Sequence, residues 1–128
     1  MTHISGSEFE KVIIDKKRKL VCVKFGADWC PPCRMMESVI GKIIAEKTLP
    51  EVEFFEVNID SDRELAERYQ VESIPTFIFF YAGEKLFIEG NVPNSDGAIV
   101  GGVNKTGFEA VCKKILNEAK SAKRKIVL

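Results

Sequence analysis

The chain has 128 residues, and its 19 lysines and arginines balance 19 aspartates and glutamates for a formal net charge of +0. That balance argues against a dedicated nucleic-acid binder, whose affinity rests on excess positive charge. No apolar run approaches the roughly 20 residues of a membrane span. The one histidine, His3, falls in an N-terminal stretch expected to be flexible, which argues against histidine-based triads, protease pairs and metal sites. MTHISGSEFE has no basic start followed by an apolar run, so no secretory signal and a cytoplasmic location are expected. The size predicts one domain over 1–128.

Ser7 and Glu10 have capping-box spacing, and Phe9, Val12 and Ile13 share one helical face, which predicts a helix over about 7–17. LVCVKFGA (20–27) reads as a buried strand with Lys24 as its odd member. Pro31 and Pro32 open a helix, as proline can in a first turn. It runs to about Leu49 with an apolar stripe of Met35, Met36, Val39, Ile40, Ile43 and Ile44, and Pro50 stops it. EVEFFEVNI (51–59) is a second strand, and Ser61 is the expected cap of a short helix over DRELAERYQ. TFIFFY (76–81) is a third strand, and a turn at Ala82–Glu84 leads into another, KLFIEG (85–90). Asn91–Gly97 is a polar loop, and AIVGG (98–102) a further short strand. Asn104 or Thr106 caps a last helix that buries Phe108, Val111, Ile115 and Leu116. Parallel strands joined by helices, then an antiparallel hairpin, predict an α/β sandwich with a central mixed sheet and helices on both faces.

Four cysteines are present: Cys22, Cys30, Cys33 and Cys112. A disulfide framework is not expected in a chain of this length without a secretory signal. A zinc site would need two ligands beyond Cys30 and Cys33, and no second CxxC or CxxH supplies them, so no metal is expected. Cys30-Pro31-Pro32-Cys33 lies on a strand-to-helix turn, beyond the carboxyl ends of the strands, where such sheets place their chemistry. The two-residue spacer lets the sulfurs meet as a disulfide. Cys30 at the helix N-terminus has its thiolate favoured by free N–H groups and the dipole. Because both spacer residues are proline, the most useful donor left is the amide of Cys33. Cys30 is therefore the expected nucleophile and Cys33 the resolving thiol. Trp29 offers a rigid apolar contact for a partner chain.

At this point the chain resembles the thioredoxin family. VKFGADWCPPCRMM, EVNID (56–60), SIPTFIFFYAGEKL (73–86) and VGGVNKTGFEAV (100–111) match the family's segments across nearly the whole length. The resemblance implies the thioredoxin fold, reduction of protein disulfides, no bound cofactor, and recharging by an NADPH-dependent thioredoxin reductase. It also implies that the Ile74–Pro75 bond is cis. Proline 75 then packs beside the dithiol, with the backbone of Ile74 binding extended substrates. Trp29, Pro31, Pro32, Ile74, Pro75 and Gly101 are the implied substrate-binding positions.

Several departures stand out. The spacer is Pro-Pro rather than Gly-Pro, which stiffens the turn. The family's buried aspartate aligns with Lys24 and its lysine partner with Glu56, so the pair is charge-swapped. Lys24 and Glu56 are either a proton relay for Cys33 or a buried ion pair kept for packing. Ser38 stands where the family has a helix-kinking proline, so a straighter helix is expected. About ten residues are inserted around 88–97, as a partner-selecting element or a solvated hairpin extension.

Cys22 is expected to be an inert core residue, while the exposure of Cys112 stays open. Lys16 to Lys19 read as a solvated, basic helix end, and the basic tail over about 119–128 as solvated by default. Met35 and Met36 are expected to pack.

The leading expectation is a monomeric protein-disulfide oxidoreductase acting on disulfide-containing clients. WCPPCR is also the motif of tryparedoxins and nucleoredoxins, which makes a carrier with another electron donor the first alternative. A non-catalytic binding or chaperone module on the same fold is the second.

Overall fold

A computed structural model describes residues 1–16, 19–90 and 98–128. Its elements are β1 (Thr2–His3), α1 (Gly6–Asp15), β2 (Leu20–Gly26), α2 (Pro31–Glu46), β3 (Val52–Asn58) and α3 (Arg63–Arg68). They continue with β4 (Thr76–Tyr81), β5 (Glu84–Lys85), β6 (Phe87–Glu89), β7 (Ile99–Val100), α4 (Lys105–Lys120) and β8 (Lys125–Val127). The main sheet has the order β1-β3-β2-β4-β5, with β7 also against β4. β1 and β2 run parallel to β3, whereas β4 is antiparallel to β2, β5 and β7. This is the expected mixed sheet.

Period-two alternation sorts the strand residues onto two cores. Leu20, Cys22, Phe54, Phe77 and Phe79 pack with Met36, Ile40 and Ile43 of α2 and Phe108, Cys112 and Ile115 of α4. Val21, Val23, Phe25, Val57, Ile78 and Phe80 pack on the other face with Phe9 and Ile13 of α1 and Leu65 of α3. The strands are buried on both sides, so their sequences read as continuous apolar runs. Lys24 interrupts β2, and Glu56 β3, on the α2 face.

Several local expectations move. The cap of α1 is Ser5 rather than Ser7, and Glu8 rather than Glu10 closes the box by accepting from the Ser5 N–H at 3.1 Å and hydroxyl at 2.8 Å. A tertiary bond anchors the start, since the Gly6 N–H donates to Asp62 Oδ1 at 2.8 Å. Asp62, not Ser61, is the cap of α3. Asn104 caps α4 by accepting from the Gly107 N–H, and the helix buries Cys112 and Ala119 where Val111 is only half-buried. Met35 and Ile44 leave the expected stripe of α2 for solvent. The helix runs unbroken through Ser38. In the basic run, Lys16 and Lys19 approach Glu53 at 3.8 and 3.1 Å, whereas Lys17 and Arg18 lie outside the described residues.

The largest revision concerns 85–90 and the tail. After a turn with positive φ at Ala82 and Gly83, β5 pairs with the far end of β4, and β7 pairs with its near end. The fifth position of the sheet is thus filled from two separate segments. Between them β6 leaves the main sheet and pairs in parallel with β8, Ile88 opposite Ile126. The tail is therefore docked rather than free, although Lys125 and Val127 face solvent. Ile126 is fully buried beside Ile88 and Leu86, and the Leu128 N–H donates to the Glu89 carbonyl at 2.7 Å. The insertion is anchored on its N-terminal side by the end of the chain, while Asn91–Gly97 lies outside the described residues. Deleting Lys125–Leu128 is expected to destabilise the fold by about 2–4 kcal/mol, mostly from lost Ile126 burial. The guanidinium midpoint reads this; a midpoint equal to wild type would return the tail to the solvated reading.

Candidate active site

β2 ends at Gly26, a short turn follows, and Pro31 begins α2. The fixed φ of proline suits the first helical positions, where its missing N–H leaves no hydrogen bond unmade. Cys30 is thereby the N-cap residue, and its sulfur accepts the Cys33 N–H at 3.3 Å. This is the donor left by a spacer with no N–H of its own. Cys30 and Cys33 are joined as a disulfide, with Cα atoms 5.3 Å apart. Both are buried, at 3% and 1% exposure. Helix position, more than burial, distinguishes the two sulfurs.

The Ile74–Pro75 bond is cis. Pro75 is buried and Ile74 half-buried, and the Ile74 carbonyl oxygen lies 3.8 Å from Cys30 Sγ. Gly101, at φ +94°, donates its N–H to the Pro75 carbonyl at 2.8 Å. That φ favours glycine, so a side chain here would strain the backbone even though open space surrounds the position. Pro31 and Pro32 are exposed on the first turn of α2. Trp29 is 64% exposed, and its indole N–H is held by Asp60 Oδ2 at 2.9 Å. The rim around the disulfide thus combines an exposed indole, two prolines, and the half-buried Ile74 beside the cis bond.

Beneath the disulfide lies a polar row set by strand register. His3 of β1, Glu56 of β3 and Lys24 of β2 are direct cross-strand neighbours, so their side chains share the α2 face. Lys24 is fully buried, and its Nζ donates to Glu56 Oε1 at 2.7 Å, with Glu37 Oε1 of α2 at 3.6 Å. Glu56, 5% exposed, turns its other oxygen to His3 Nε2 at 3.0 Å. A Cβ placed on Gly26 would sit 3.3 Å from Cys33 Sγ and 3.6 Å from Glu56 Oε1, so the sulfur and the carboxylate face each other across that glycine.

Every candidate residue therefore lies in one region. Three contributors were missed from the sequence. Glu37 is a solvated-looking acid with no local pattern, and Asp60, although it ends the EVNID segment, gives no local sign that it meets Trp29. His3 was dismissed as part of a flexible end; it belongs instead to the edge strand of the sheet and touches the buried carboxylate.

Cys22 and Cys112 stand apart from this chemistry. Both are fully buried, which settles the open exposure of Cys112. Burial, and secondarily Glu109, pushes the Cys112 thiol from 9.0 up to about 12. Burial, and secondarily Cys112, pushes the Cys22 thiol well above its ordinary value. The unfolded chain therefore loses these protons first as pH rises. The stability from Cys112 is fully present below pH 9 and is lost toward about 12, at about 1.4 kcal/mol per pH unit, and Cys22 acts in the same direction. Denaturant midpoints between pH 8 and 11 should fall more steeply in wild type than in Cys22→Ala/Cys112→Ala; equal slopes would refute it. Native reduced protein should likewise leave Cys22 and Cys112 unalkylated, and denatured protein should offer all four thiols.

A dithiol–disulfide pair on a strand-to-helix turn of this mixed sheet, against a cis-proline, defines a thiol–disulfide oxidoreductase. A family model described as Thioredoxin matches residues 1–105, and the chain belongs to the thioredoxin family. It is 40% identical to Thioredoxin H4 of Arabidopsis thaliana over 76 residues, 57% of this chain and 63% of that protein, just under two thirds of its length. It is 30% identical to a thioredoxin-like protein of Fusarium culmorum over 112 residues, 87% of this chain and 86% of that one. Among solved structures, the thioredoxin of Fasciola hepatica superposes with a TM-score of 0.68 at 31% identity, covering 88% of this chain and 97% of the other.

Proposed function

We propose that this chain reduces disulfides in client proteins by two successive exchanges. The Cys30 thiolate attacks one client sulfur, forms a mixed disulfide and releases the other client sulfur as a thiolate. Cys33 then transfers its proton to Glu56 and attacks Cys30 Sγ. The second client thiolate leaves, and the protein keeps the Cys30–Cys33 disulfide. Two electrons pass from this chain to the client. Trp29, Pro31, Pro32, Ile74, Pro75 and Gly101 bind the client strand around the sulfurs. Lys24 holds Glu56 in position and neutralises its charge.

The observation that carries this reading is Cys30 as N-cap of α2, its sulfur accepting the Cys33 N–H and standing 3.8 Å from the Ile74 carbonyl. A thioredoxin reductase drawing on NADPH is the proposed electron donor, with no cofactor bound by the chain itself. The proposed unit is a monomer with residues 1–128 as one domain, acting in the cytoplasm. Among the described residues no helix is long and apolar enough to cross a membrane.

A redox titration in dithiol buffers, read by Trp29 fluorescence and thiol trapping, tests the direction of transfer. A reversible two-electron transition near about −270 mV supports a reductant. A midpoint near about −180 to −120 mV would make the chain an isomerase or oxidant instead.

A further inference from the structure

We propose that His3 is the solvent-side station through which Glu56 exchanges the Cys33 proton, acting as a positioning residue for the resolving step. The inference rests on the reading of Glu56 as proton acceptor and extends it outward.

The proton that Glu56 takes from Cys33 has two ways out: back to Cys33 when the disulfide is next reduced, or to water, and the second needs a path. Cys33 is 1% exposed and Glu56 5%, so neither has an open path of its own. The two oxygens of Glu56 point to different neighbours. Oε1 faces Cys33 across Gly26 and accepts from Lys24. Oε2 lies 3.0 Å from His3 Nε2, and the His3 side chain is 69% exposed. The carboxyl group therefore bridges the buried sulfur on one oxygen and an imidazole open to solvent on the other. A lysine in the place of His3 would also hold the carboxylate. Among side chains, imidazole combines an acceptor nitrogen with a donor nitrogen, so it can take a proton on one side and release one on the other.

The charged and titratable groups around the path come from each adjoining element. Lys24 of β2 faces Glu56, Glu37 of α2 faces Lys24, and Cys33 of α2 faces Glu56 across Gly26. His3 itself is held by the β1–β3 pairing and by the next residue, since the Ile4 N–H donates to the Glu56 carbonyl at 2.9 Å. The proton balance is closed. The S–H bond of Cys33 breaks, Glu56 takes the proton, and Glu56 passes it to the neutral nitrogen of His3. His3 then releases a proton from its other nitrogen to water. Cys33 is left as the thiolate that forms the new S–S bond.

The experiment mixes the reduced protein with excess 5,5′-dithiobis(2-nitrobenzoate) between pH 5 and 9. The first release of thionitrobenzoate reports attack by Cys30. The second, independent of reagent concentration, reports attack by Cys33. The wild-type rate of the second phase is expected to carry a bend in its pH profile that depends on His3. His3→Gln keeps an N–H for Glu56 but cannot titrate. It should remove the bend and slow the second phase about three- to tenfold near neutral pH. His3→Ala should do the same and recover with added imidazole. A His3→Gln profile that superposes on wild type overturns the role of His3. Glu56→Gln separates the two levels. If it alters the second phase while His3→Gln does not, only His3 is excluded; if neither alters it, the Glu56 relay falls as well.

Discussion

Replacing Cys30 with serine is expected to abolish exchange, lowering turnover of a protein disulfide by about a thousandfold or more, to the uncatalysed background. A hydroxyl at this N-cap cannot supply the thiolate that attacks sulfur. Cys33→Ser should behave differently. Its Cys30 thiolate still attacks, but no second thiol resolves the adduct, so a one-to-one mixed disulfide with the client accumulates. Intact-mass analysis of the trapped species separates the two variants. Adducts forming on Cys33 in the Cys30→Ser protein, with none on Cys30 in Cys33→Ser, would reverse the assigned order. That order rests on the helix start. Cys30 accepts the Cys33 N–H at 3.3 Å, whereas Cys33 is the third helical residue and 1% exposed.

The second large effect concerns the buried pair. Lys24→Met leaves the buried Glu56 without its ammonium partner, with His3 as the remaining polar neighbour of its carboxylate. Breaking a buried pair from one side costs up to about 3–5 kcal/mol, because one charge stays behind without its main partner. Removing both charges is a different experiment. Lys24→Met/Glu56→Leu should be near neutral, or more stable by up to about 4 kcal/mol, because the desolvation penalty of both ions disappears. Guanidinium unfolding of the single and double variants reads the difference, and equal midpoints for all three proteins would contradict a buried pair. The folded double variant also decides between the two expectations for these residues. A resolving phase like that of wild type makes the pair a packing feature; a slowed one gives it a part in the chemistry.

The charge swap at these positions was legible because Lys24 interrupts an apolar strand and Glu56 falls in a matching segment. What joined them was register. Lys24 and Glu56 are 32 residues apart, and their distance of 2.7 Å follows from β2 and β3 lying side by side. Local spacing likewise placed Cys30 at a helix start, since two prolines and an apolar strand flank it. The same spacing misplaced the cap of α1 by two residues, at a start where Asp62 holds the Gly6 N–H. The helical stripe of α2 was drawn too wide. Met35 and Ile44 fit its period yet fall outside the sector that the sheet and α4 cover.

By itself, the sequence determined the elements whose signals are local: four helices, three long strands, a dithiol capping a helix and the motif of the proline beside it. A seven-residue strand such as Leu20–Gly26 declares itself by composition, and a helix start by its capping and proline chemistry. Only the tertiary structure decided the partners of the short strands. Thr2–His3, Phe87–Glu89 and Lys125–Val127 have two or three residues each, too few for any alternation to register. Their conformation is set by what they lie against. Thus a histidine read as part of a loose end reaches a buried carboxylate, and a basic tail read as solvated pairs with Phe87–Glu89 and buries Ile126.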